Sequence, residues 1–158
     1  MGSHLATYLR DHHAGATGGV ELARRAAGSN EGNAYGKELA RIAAEIAEDR
    51  DALERVMEEL GVRADPIKDR AAWVAEKLGR LKPNGSLVSY SPLSRVIELE
   101  GLVLGVTGKV ALWESLKAAT PPGVETVDLE RLAERAADQR SRLEDLRRTA
   151  ASEALGKG

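Results

Sequence analysis

The chain has 158 residues, of which 42% are hydrophobic and 30% charged, the balance of one soluble domain able to bury about 70% of its unfolded surface. A formal net charge of −2 and a pI near 6.0 give no global electrostatic footing for nucleic acid or an anionic membrane. No apolar run reaches the ~18–20 residues that span a bilayer. Cysteine is absent, which excludes disulfides, thiolate zinc sites and cysteine nucleophiles. Phenylalanine is absent too, so the core must be built from Ala, Leu, Val, Ile and two Trp. No secretory-type apolar stretch follows the start, so a cytoplasmic location is expected. Met1-Gly-Ser-His4 reads in part as an expression leftover, and His4 carries no weight.

The predicted elements are helices, at about 4–27, 34–60, 66–81, 92–119 and 127–155. Ser3 caps the first, and Gly28-Ser-Asn-Glu-Gly-Asn33 is a turn cluster whose Asn33 caps the second. Gly61 stops that helix. Asp65-Pro66, a cap followed by a first-turn proline, opens a short helix that Lys82-Pro-Asn-Gly85 ends. The only candidate strand is the short Ser86-Leu-Val-Ser-Tyr90. Ser91-Pro92 repeats the cap-plus-proline signal before the fourth helix. Thr120-Pro-Pro-Gly123 breaks the chain, and Thr126 caps the last helix, with Asp128 and Glu130 near its positive end. The long helices would each run ~40 Å. Short turns join the first pair and the last pair as antiparallel neighbours, and about thirty residues separate the two hairpins. The expected fold is an all-α, single-domain four-helix bundle with one long crossover carrying a short fifth helix.

Spacings of three and four residues define the buried faces. The first helix reads Leu5, Leu9, His12, Ala16, Gly19, Ala23, Ala26; the second reads Leu39, Ile42, Ile46, Asp49, Leu53, Val56, Leu60; the last reads Leu129, Leu132, Ala136, Gln139, Leu143, Leu146, Ala150. One polar residue interrupts each. The helix at 92–119 is apolar nearly all round and is expected to be the most buried. A first turn centred near residues 30–31 would set His12 opposite Asp49. Two readings follow. One is a buried hydrogen-bonded pair that fixes helix register. The other is a metal site of His12, Glu45 and Asp49 joined by Glu100, a donor set suited to iron, manganese or zinc. His13 points about 100° away from His12 and is expected at the rim or on the surface. Gly15, Gly18, Gly19, Gly101, Gly105 and Gly108 each cost helix propensity. They predict close contact between the first and fourth helices, at 4–27 and 92–119; the alternative is that they make room for a ligand or for partner-chain side chains.

Two motif echoes fail on context. Asp11-His12-His13 spells the triplet of a manganese-dependent phosphoesterase family, but in a helix of a strandless chain. Gly105-Val-Thr-Gly-Lys109 hints at a phosphate-binding loop, but Val103 stands where its leading glycine belongs and Val110 follows the lysine, inside an apolar helix. The hairpin, long crossover and second hairpin over residues 4–155, clearest in Glu38 to Leu60 and Val110 to Leu146, resemble the ferritin-like superfamily and most nearly the small stress-associated bacterial bundles of the YciE/YciF type. The resemblance implies the bundle fold and a stress link. Metal-binding members take two glutamates and two Glu-x-x-His motifs from four helices; this chain contains no Glu-x-x-His.

The second helix is acidic and the crossover basic, through Arg63, Lys68, Arg70, Lys77, Arg80 and Lys82, so their attraction is expected to hold the crossover to the bundle. The mixed charges of the last helix read as a solvent face with i,i+4 pairs. Trp73 and Trp113 read as packing residues. The expected function is non-enzymatic, through self-association or a protein partner, with no nucleic acid, membrane or cofactor; the alternatives are a metal-binding or oxidase-type bundle and a bundle with a glycine-lined ligand pocket.

Overall fold

In the computed structural model, which describes residues 3–65 and 89–156, the chain forms four helices: α1 (Ser3–Ser29), α2 (Gly36–Glu59), α3 (Pro92–Ala119) and α4 (Leu129–Leu155). No strand occurs among the described residues. The predicted helix at 66–81, Trp73 and residues 86–88 of the candidate strand lie outside them.

The start and stop signals act locally much as the sequence implies. Ser91 caps α3 by accepting the Ser94 N–H at 3.1 Å, while the Ser94 hydroxyl accepts the Ser91 N–H, with Pro92 following. This reciprocal arrangement satisfies two orphan amides at once. Gly61 ends α2 with φ at +65°, where a side chain would be strained. Two caps differ from the prediction. Asp128, not Thr126, caps α4 by accepting the Arg131 N–H, and Thr126 instead donates to Glu59 on α2. Asn33 lies outside α2 and accepts the Tyr35 N–H at 2.9 Å.

Contacts at the two ends fix the topology. At one end the buried Asn30 amide donates to the Ala26 carbonyl at 2.8 Å and to the Tyr90 hydroxyl at 2.7 Å, and its oxygen accepts from Arg95 Nε. The Arg95 guanidinium lies 4.4 Å from the Tyr35 ring centre, and the Tyr35 hydroxyl donates to Glu153. Thus the end of α1, the starts of α2 and α3, and the end of α4 meet in one polar knot. At the other end Thr126 reaches Glu59, and Gly123 lies against Leu60. Helices α2 and α3 therefore run parallel. Helix α1 packs on α2 and α3, and α3 packs on α4.

The core divides in two. One apolar cluster holds Val20, Leu39, Ile42, Ile46, Leu99, Leu102, Val106 and Leu143. The other holds Leu9, Leu53, Val56, Leu112, Trp113, Leu116 and Leu132. Between them every helix passes a different kind of residue: His12, His13 and Gly15 on α1, Asp49 on α2, Lys109 on α3 and Gln139 on α4. The most buried helix is α2, with ten buried positions in 24, rather than α3, with eight in 28. Leu93 and Leu104 of α3 are exposed, which corrects the expectation drawn from its apolar composition.

Candidate functional site

The mid-height layer is a charged cluster beside a cavity. Asp49 is 1% exposed. Its Oδ1 accepts from Arg135 Nε at 2.8 Å and also from the second guanidinium nitrogen. Its Oδ2 accepts from Lys109 Nζ and from Gln139 Nε2, the latter at 2.9 Å. Gln139, 0% exposed, returns its Oε1 to Lys109. A carboxylate can live this deep because both oxygens are filled by donors, two of them cationic. Burial pulls the Lys109 ammonium below the usual lysine range, while the Asp49 carboxylate opposes that shift.

The cluster continues outward along α2 and α4. Arg142 binds Glu38 at 2.8 Å and also Glu45, and Arg135 binds Glu48 at 2.9 Å. Burial works against the Arg142 charge, but the hydrogen bonds it donates to Glu45 and Glu38 outweigh that and raise its pKa. The acids of α2 are thus matched across the bundle by α4. The predicted i,i+4 pairs on α4 exist, as in Arg142 with Asp138 and Arg148 with Glu144. Arg135 and Arg142 do more, because they also clamp two helices together.

The sequence-predicted site residues are only partly brought together. His12 and Asp49 both line the cavity, but the hydrogen bonds of Asp49 come from Lys109, Arg135 and Gln139. The expected His12–Asp49 pair is not the one formed. His12 stacks edge-on against Tyr8, with ring centres 4.5 Å apart, and burial lowers its pKa against the opposing charge of Asp11. The reason is register. Six residues, 30–35, separate α1 from α2, so His13 meets Glu54, with Nε2 and Oε1 2.9 Å apart. The hairpin is zipped several residues beyond the alignment assumed from a turn at 30–31. His13 is buried, not at the rim as expected. Glu45 joins Asp49 only through Gln139, which approaches it at 3.3 Å. Glu100 faces Arg147 at 4.0 Å and is exposed. Among the described residues no group of three or more histidines and carboxylates is arranged to hold a metal ion.

The glycines have a different role from the one predicted. A cavity of about 320 Å³ lies among α1, α2 and α3. Gly15, Gly19, Gly105 and Gly108 line it, and a Cβ built on any of them meets nothing within 4 Å. Close packing holds at Gly101, where a Cβ would come within 3.1 Å of Leu22. Ile46, Leu53, Leu102, Val106, Leu112 and Trp113 supply most of the remaining apolar wall, and the exposed Leu104 and Gly105 mark its mouth. Because these helical glycines have room for a methyl group, Gly19→Ala and Gly105→Ala are each expected to raise stability by about 1 kcal/mol, the glycine–alanine difference in helix propensity. Urea unfolding checks this; a loss of stability would mean the space is not there.

Lys109 and Arg135 were not legible as site residues. The one signal for Lys109 is a single cation inside Leu102 to Trp113, an otherwise apolar stretch. The chain matches no family model, no curated protein and no solved structure.

Proposed function

We propose that this chain is a non-enzymatic, ferritin-like helical bundle that holds a small molecule in the glycine-walled cavity. The observation that carries the reading is the open space in front of Gly15, Gly19, Gly105 and Gly108. Four glycines inside helices sacrifice about 1 kcal/mol each, and interiors are otherwise close-packed. A cost of that size without a packing return points to use of the space. A volume of about 320 Å³ sits at the lower end of the range for ligand pockets. The ferritin-like part of the reading is supported by the parallel course of α2 and α3 with one long crossover between them, the topology such bundles share.

Thermal-shift measurements against a panel of compact apolar molecules test the reading. A ligand present at ten times its Kd should add about 1.4 kcal/mol, which is about 3–5 °C for a domain of this size. Gly105→Leu, which fills the mouth of the cavity, should erase the shift. A flat response across the panel counts against the proposal.

A second reading, self-association, is favoured by one observation. Leu93 and Leu104 are both exposed, and eleven residues of helix return a side chain to within about 20° of the same direction. They share one stripe of α3. Leu104→Glu should then convert a concentration-dependent dimer to monomer in light scattering. An iron, manganese or zinc site at His12, Glu45, Asp49 and Glu100 has less support, because Asp49 and Glu45 are already held by Lys109, Arg135 and Arg142.

A further inference from the structure

We infer that the cavity selects a short-chain amphiphile with an anionic head, of which a medium-length aliphatic monocarboxylate is the simplest form. The inference rests on the ligand-binding reading above and adds the chemistry of the ligand. Its starting point is an orphan. Trp113 lines the cavity and is 0% exposed, yet its indole Nε1–H has no acceptor among the described residues. An unpaired donor at such depth is costly and uncommon. One helical turn earlier on the same wall stands Lys109. Asp49 and Gln139 take two of its three N–H groups, and no acceptor for the third occurs among the described residues.

Asp49, the most deeply buried acceptor of the wall, is by contrast spoken for. Both oxygens of Asp49 are filled, by Arg135 on one side and by Lys109 and Gln139 on the other. Around Trp113 and Lys109 the spare hydrogen-bonding capacity of the wall is therefore donor capacity, and a ligand that meets it must bring the acceptor. Asp11 is exposed at the outer rim, and the other carboxylate of the wall, Asp49, has its charge matched by Lys109 and Arg135. The rest of the wall is mainly Gly, Leu, Ile and Val, which suits an alkyl body. At ~30 Å³ per water-sized volume, about 320 Å³ accommodates roughly ten non-hydrogen atoms. Octanoate has that size.

The test uses octanoate and octylammonium, equal in chain length and opposite in hydrogen-bonding role, titrated into the full chain and followed by calorimetry. In parallel, the indole N–H resonance of Trp113 is followed by NMR and assigned with Trp113→Phe. Octanoate is expected to bind at least about tenfold more tightly than octylammonium and to shift the Trp113 indole resonance downfield. Trp113→Phe keeps an aromatic ring and removes the donor, and should cost octanoate about tenfold in affinity while leaving octylammonium unchanged. Gly105→Leu should abolish both. Equal binding of the two probes with an unmoved indole resonance overturns the acceptor requirement and leaves the cavity reading intact. No binding of either probe, or octanoate binding that survives Gly105→Leu, overturns the cavity reading itself. Should Trp113→Phe fail to fold, the resonance shift in the unaltered chain still decides.

Discussion

Asp49→Ala is expected to lower the unfolding free energy by about 3–5 kcal/mol, the cost of removing one partner from a buried ion pair, measured by urea denaturation near neutral pH. The size follows from what the carboxylate holds. With it gone, Lys109 keeps only the Gln139 oxygen, the Gln139 amide nitrogen keeps only its longer bond to Glu45, and Arg135 retains only Glu48 near the surface. Lys109 is 13% exposed at the side chain, so its charge cannot be recovered by water without opening the layer. Lys109→Met should cost less, about 1–3 kcal/mol, because Asp49 keeps Arg135 and Gln139. Replacing Asp49, Lys109 and Gln139 together by Leu, Met and Leu should recover most of the loss or exceed the starting stability, since buried ion clusters rarely outperform apolar packing of equal volume. A cost under about 1 kcal/mol for Asp49→Ala would mean that the layer is hydrated. The triple replacement also separates stability from function, because it removes Lys109 from the donor pair that the cavity offers while keeping Trp113 and the glycines.

The helices were legible because their signals are local. Ser91-Pro92, Gly61 and the apolar spacings of α2 and α4 each act within a turn or two of chain, and the structure places helix ends within a few residues of them. The site was legible only as three interruptions, at His12, Asp49 and Gln139. Which of them meet is a property of register, and register is set by the Asn30–Tyr35 turn, where Asn30 binds Ala26, Tyr90 and Arg95 as well as Asn33 within the turn. A few residues of displacement moved the histidine contact from Asp49 to Glu54. Lys109 was hidden for a different reason. A lysine amid Leu, Val and Gly gives no sign of the acid it reaches when that acid lies on the diagonally placed helix, 60 positions away in sequence. The glycines were read correctly as a shared face of α1 and α3 but with the wrong consequence. Missing side chains permit approach without compelling it, and here the helices stand apart wherever larger neighbours such as Leu102, Leu112 and Trp113 hold them open.

The second large effect is expected at Glu98, whose replacement should stabilise the protein in a pH-dependent way. This residue of α3 is 2% exposed, and neither carboxylate oxygen has a hydrogen-bond partner among the described residues. Burial raises its pKa from 4.5, while the charge of Arg25 and the Tyr90 hydroxyl, which stops short of hydrogen-bond geometry, oppose the shift. Because the folded state holds the proton more tightly than the unfolded chain, the stability Glu98 contributes is complete below the unfolded value of 4.5. It is lost as pH rises through the higher folded value. Glu98→Gln removes the titration and keeps the shape. The variant should therefore match the unaltered protein near pH 4 and exceed it at neutral pH by about 1–3 kcal/mol, the scale of an unsatisfied buried polar group, or roughly 3–8 °C in Tm. Arg25→Gln should act in the opposite sense, since the charge that restrains the shift would be gone. Melting curves at several pH values decide the matter. Parallel pH profiles for Glu98→Gln and the unaltered chain would show that the carboxylate is paired or hydrated after all, and that the orphaned acid beneath the Asn30 knot places no strain on the fold.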